Sequence, residues 1–122
     1  MDNILVVDDE DQMRKYMLDV LRGEGYAVSE ASDGKRAIQV IQQAAFHLII
    51  TDVAMPEMDG LELIRKVRER LPNAKILAIS GDCCDGPDLY LKLAKHFGAN
   101  SILLKPFGPN RFIDKVSSLL KS

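Results

Sequence analysis

Four short apolar runs of this chain each end on a residue able to do chemistry. Ile4-Leu5-Val6-Val7 enters Asp8-Asp9-Glu10, and Leu48-Ile49-Ile50-Thr51 enters Asp52. Ile76-Leu77-Ala78-Ile79 ends in Ser80, and Ser101-Ile102-Leu103-Leu104 ends in Lys105-Pro106. Apolar runs of this length bounded by turn residues read as strands covered on both faces. Sheets of that kind bind ligands at the carboxyl ends of their strands. Acids, a hydroxyl and an amine at four strand ends can therefore meet in one place.

The segments between the runs carry the period of helices. Met13, Tyr16, Met17, Val20 and Leu21 form one apolar stripe, with Gly23 and Gly25 as stop signals. Residues 26–30 alternate as a short strand near an edge. Ser32-Asp33-Gly34 caps a second helix with Ala37, Ile38, Ile41, Ala44 and Ala45 inward. The third strand is expected at 47–51, and Asp59 is placed to cap a third helix that buries Leu61, Ile64, Val67 and Leu71. Pro87 opens a fourth helix with Leu89, Leu93, Ala94 and Phe97, and a last helix buries Phe112, Ile113, Val116, Leu119 and Leu120. Strands and helices alternate strictly in five units, which predicts an α/β fold, a doubly wound five-stranded parallel sheet with five helices on its two faces.

Length and charge narrow the functional classes. A chain of 122 residues is expected to be a single domain over 1–122. A net charge of −2 offers no basic footprint for direct contact with nucleic acid. No apolar stretch approaches a membrane span and no signal segment opens the chain, so no membrane partner and a cytoplasmic location are expected. Cys83 and Cys84 are adjacent, too few and too close for a disulfide framework or a zinc site, and read as free thiols.

In order along the chain, the motifs Val-Val-Asp8-Asp9-Glu, Thr-Asp52-Val-Ala-Met-Pro-Glu-Met-Asp-Gly, Ile-Ser80-Gly and Leu-Lys105-Pro106-Phe107 resemble the receiver domain of bacterial two-component response regulators. The resemblance spans nearly the whole chain. It implies a flavodoxin-like sheet of order 2-1-3-4-5, in which the first and third strands are neighbours. It makes Asp52 the phospho-acceptor, Asp9 a direct metal ligand, Asp8 a ligand mainly through water, and the backbone carbonyl of Ala54 a further ligand oxygen. Ser80 would bond a phosphoryl oxygen and Lys105 would pair with the phosphoryl group. The implied donor is a histidine on a sensor kinase or phosphotransfer protein. The implied recipient of the signal is an effector protein or a C-terminal output domain.

The chemistry is sound on its own terms. Gathered carboxylates repel unless a cation sits among them. Their hard oxygens suit octahedral Mg²⁺, which also accepts a phosphate oxygen. A carboxylate can accept a phosphoryl group covalently, and the transfer asks mainly for positioning and charge neutralisation. Taken singly, each residue reads as an ordinary turn or loop residue; four at strand ends do not.

Three positions depart from or tune the family pattern. Ile102 stands where many receivers carry an aromatic switch, and a β-branched residue has little rotamer freedom. Ala54 and Asp82 occupy the positions that tune dephosphorylation. The expected output face is that of the fourth helix, last strand and fifth helix, worked by loop and helix movement without an aromatic swing. His47 and His96 read as structural or solvated. Two other classes compete: a small aspartate-nucleophile phosphatase, against which no acid follows Ser101 until Asp114, and a phosphorylation-independent interaction domain, against which the full set of site residues stands. The chain reads either as a stand-alone receiver or as the N-terminal piece of a longer regulator, the former preferred.

Overall fold

A computed structural model describes residues 2–53, 60–80, 92 and 94–121. Five parallel strands form one sheet: β1 (Asn3–Val7), β2 (Ala27–Ala31), β3 (Leu48–Asp52), β4 (Lys75–Ser80) and β5 (Ser101–Leu104). Their order is β2-β1-β3-β4-β5. Five helices alternate with them: α1 (Asp11–Gly23), α2 (Gly34–Ile41), α3 (Gly60–Arg70), α4 (described at residues 92 and 94–97) and α5 (Pro109–Lys121). Fold class, strand order and alternation are as predicted.

The period of two along each strand divides the core. Leu5, Val7, Ile49, Ile76 and Ala78 point to the side of α2, α3 and α4, against Ala37, Leu63, Ile64, Val67 and Ala94. Ile4, Val6, Leu48, Ile50, Leu77 and Ile79 point to the other side, against Met17 and Leu21 of α1 and Phe112 and Val116 of α5. The central strands are thus apolar on both faces, which is why they read as continuous apolar runs.

Several local expectations shift. Strand β3 runs one residue later than 47–51, so Asp52 is its last residue. Helix α2 stops at Ile41, which leaves Ala44 and Ala45 exposed; Phe46 is buried in their stead. The α2 cap is as predicted, since Asp33 accepts the Arg36 N–H at 2.8 Å. Helix α1 has no side-chain cap; the acidic residues before it are used otherwise. Asp59, Pro87, Leu89, Leu93, Cys83 and Cys84 lie outside the described residues.

Candidate functional site

Register brings the acids together. Val7 pairs with Thr51 across β1 and β3, so the next residues, Asp8 and Asp52, leave the sheet side by side. Asp52 pairs with Ile79 on β4, which puts Ser80 one step beyond it at the same end. Ser80 in turn pairs with Leu104, the residue before Lys105. One carboxylate oxygen from each of Asp8, Asp9 and Asp52 lies within 4.8 Å of the others. The Lys105 ammonium closes the group, 2.9 Å from Asp52 Oδ2 and 3.4 Å from Asp8 Oδ2.

The backbone around these side chains is held in detail. Asp8 donates its N–H to the Ala31 carbonyl at 3.2 Å and accepts the Glu10 N–H on Oδ1 at 2.9 Å. The Thr51 hydroxyl donates to the Asp52 carbonyl at 2.9 Å, and the Val53 N–H donates to the Ile79 carbonyl at 3.0 Å. The Lys105 N–H donates to the Ser80 carbonyl at 2.8 Å, so the amine and the hydroxyl residue share a backbone link. Gly60, first residue of α3, lies so close to Asp52 that a Cβ there would run into the Asp52 carbonyl and the Val53 Cα. Beyond Lys105, Phe107 stacks on Phe112 with ring centroids 5.3 Å apart and meets Tyr16 of α1 at 6.2 Å, which anchors the loop.

Burial sets the electrostatics. Asp8 is fully buried and Asp9 is exposed. Burial lifts the Asp8 carboxyl above its ordinary 3.8, although the Glu10 N–H and the Lys105 charge pull the other way. Burial alone would lower the Lys105 ammonium, but Asp52 and Asp8 together outweigh it and hold it above the usual 10.5. One ammonium faces three carboxylates. A buried acid that resists ionisation beside a surplus of negative charge fits a hard divalent cation, and the donor set is all oxygen.

Of the predicted site residues, Asp8, Asp9, Asp52 and Lys105 are together, and Ser80 is buried at the same sheet end. Ala54 and Asp82 lie outside the described residues. Ile102 is half-buried on β5, packed against the core on the α2–α4 side. His47 is exposed at the opposite end of the sheet, its Nδ1 accepting the Asn3 N–H at 3.0 Å, and His96 is exposed on α4. Sequence reasoning missed Arg14, whose guanidinium reaches the Asp8 carbonyl, and the close approach of Gly60. For Gly60 the signal was present, a glycine directly after the acid expected to cap α3; for Arg14 only the i,i+3 pair with Asp11 hinted at it.

Known proteins are similar to this chain over two thirds to nearly all of its length. The chain is 40% identical over 81 residues to the response regulator receiver protein CpdR of Brucella abortus, which covers 66% of this chain and 68% of that protein. It is 31% identical over 119 residues to the chemotaxis protein CheY of Thermotoga maritima, 97% of each. The solved receiver domain of NtrX from Brucella abortus superposes with a TM-score of 0.92 at 30% identity, covering 98% of both chains. The family description "Response regulator receiver domain" matches residues 4–117, from within β1 to within α5 and so across every strand end that supplies the cluster. With sheet order, acid cluster and lysine all in register with that match, the chain belongs to the response regulator receiver domain family, a family of signalling domains rather than of conventional enzymes.

Proposed function

We propose that this domain, 1–122 as one unit, takes a phosphoryl group onto Asp52 and changes its partner contacts as a result. The observation that carries the reading is the contact of Lys105 with Asp52 at 2.9 Å inside the three-acid cluster. Asp8, Asp9 and Asp52 would hold Mg²⁺, with the Ala54 carbonyl as a further donor. Bound there, the ion supplies positive charge to the phosphoryl oxygens during transfer.

The chain's own groups do the rest. An Asp52 carboxylate oxygen attacks phosphorus in line with the donor's P–N bond; that bond's electron pair returns to the donor imidazole nitrogen. Lys105 leaves its ion pair with Asp52 for a phosphoryl oxygen, which keeps its charge matched throughout. Ser80 donates its hydroxyl to another phosphoryl oxygen. The donor is a histidine on a sensor kinase or phosphotransfer protein. The signal passes to an effector protein or an output domain, without direct contact to nucleic acid or membrane. Among the described residues no helix is long and apolar enough to cross a bilayer, and a cytoplasmic location follows from this reading.

Small aspartate-nucleophile phosphatases pair a strand-end aspartate with a second acid two residues on, as Asp8-Asp9-Glu10 or Asp9-Glu10-Asp11 would; the latter loses support at Asp11. Its carboxylate is bound by Arg14 at 2.7 Å and is not presented to the cluster. Intact mass after incubation with acetyl phosphate and MgCl₂ tests the proposal. A gain of one phosphoryl group is expected, lost on chelation of the metal and in Asp52→Asn. Labelling that survives Asp52→Asn would refute it.

A further inference from the structure

The geometry points to Arg14 as a positioning residue that aims the acids of the β1–α1 loop at their cation. Arg14 stands in the first turn of α1, its side chain only 13% exposed. Every nitrogen of its guanidinium is engaged. Nη1 donates to the Asp8 carbonyl at 2.7 Å, Nε to Glu30 Oε1 at 2.9 Å, and Nη2 to Asp11 Oδ1 at 2.7 Å. The three partners belong to the end of β1, to β2 and to α1.

The first of these contacts matters most. The Asp8 carbonyl belongs to the peptide unit that joins Asp8 to Asp9. Fixing that peptide plane fixes the direction in which Asp9 leaves the buried strand end. Asp8 is already held by the Ala31 carbonyl and the Glu10 N–H, but Asp9 is exposed and takes its aim from the backbone. Arg14 therefore sets the spacing of the two acids without touching either carboxylate.

The other two contacts explain why it does not. Asp11 and Glu30 occupy the remaining edges of the guanidinium and more than balance its charge. The two acids hold the arginine's free edges away from the cluster, where a second cation beside Lys105 would compete with a divalent ion. A planar fork serves three partners in three directions, whereas an ammonium is a single centre on a flexible stem. Charge alone should not substitute for it.

The inference rests on the cation-binding reading proposed above, and the test separates the two. Mg²⁺ affinity is measured by calorimetry with MgCl₂ alone on the wild type, Arg14→Met, Arg14→Lys, Asp9→Asn and Arg68→Met. Arg68 is a clamp of the same kind at the other end of the sheet, bound to the Pro72, Ala74 and Gly98 carbonyls at 2.8, 2.7 and 2.8 Å. Both Arg14 variants are expected to bind Mg²⁺ about tenfold more weakly, the usual loss for an outer-shell partner. Arg68→Met should melt lower yet stay within about twofold of wild-type affinity, as distant sites act independently. Wild-type affinity in Arg14→Met, recovery in Arg14→Lys, or equal weakening in Arg68→Met would each overturn the role of Arg14 while leaving the metal site intact. A wild type that binds no Mg²⁺, or an Asp9→Asn variant that binds it as well as wild type, would overturn the metal reading and this inference with it. Should the Arg14 variants not fold, Glu30→Ala keeps the guanidinium and removes one tether; undiminished affinity there also overturns the assignment.

Discussion

Among the described acids, Asp8 is one whose ionisation the fold disfavours, through burial. Its carboxyl sits above 3.8 because of burial. As pH rises past 3.8 the unfolded chain gives up this proton first, so folding is progressively penalised until the folded carboxyl ionises too. At neutral pH the metal-free protein carries that penalty. Asp8→Asn removes it, and the replacement's amide oxygen can still accept the Glu10 N–H. The variant should melt higher in metal-free buffer, by about 3–5 °C for each kcal/mol relieved, with a flatter stability–pH curve above 3.8. Lys105 works in the opposite sense. Its contribution is complete at neutral pH and is lost only as pH rises through a folded value above 10.5. A second residue-scale consequence concerns Gly60. Gly60→Ala must push the Asp52 backbone aside, so a cost of about 1–3 kcal/mol in denaturant unfolding is expected, together with slower phosphorylation by acetyl phosphate.

At the scale of elements, the link between β4 and β5 decides how a change at the site would spread. Ser80 and Lys105 share a hydrogen bond through the backbone at 2.8 Å. A phosphoryl group that draws the Ser80 hydroxyl inward therefore pulls on the end of β5 as well. Hydrogen exchange with and without a phosphoryl mimic should change protection at Ser80 and in α4 at 94–97; change confined to residues 52–60 would show another exit for the signal. Ile102 is only half-buried, so Ile102→Ala should cost about 1–2 kcal/mol, less than the ~2–5 of a fully buried position, and leave Asp52 phosphorylation intact. The elements themselves were legible because the strands are apolar on both faces and the helices keep a clean 3.6 period. What escaped was set by non-local partners. Arg14 and Arg68 look like solvated helix residues by periodicity, yet they bind backbone carbonyls, in Arg68's case one 30 residues away. Ala44 and Ala45 extended an apolar pattern past the point where Phe46 took the buried place. The acids at the site were readable for the opposite reason: strand ends are marked locally.

For the molecule as a whole, the two sheet ends have different work. Among the described residues, the carboxyl end gathers three carboxylates around one ammonium, a surplus that a bound cation would relieve on the reading proposed above; the amino end, with the Arg68 clamp and the His47–Asn3 bond, has no such cluster. Mg²⁺ should thus stabilise the fold by mass action, by about 2.7 kcal/mol at a hundredfold excess over Kd, and raise the melting temperature accordingly. Scanning calorimetry across MgCl₂ concentrations checks this, and Asp9→Asn should blunt the rise. A melting temperature indifferent to Mg²⁺ would contradict the reading.

The ring cluster beyond Lys105 gives the chain a built-in optical label. It has three tyrosines and no tryptophan, so its near-ultraviolet emission is tyrosine emission. Tyr16 lies against Phe107, two residues from the lysine that touches Asp52. An event that pulls Lys105 off Asp52 has only that short tether to cross to reach the Tyr16 ring. Occupancy of the acidic cluster should then shift the tyrosine emission without a dye or an engineered tryptophan, and Tyr16→Phe should abolish that shift.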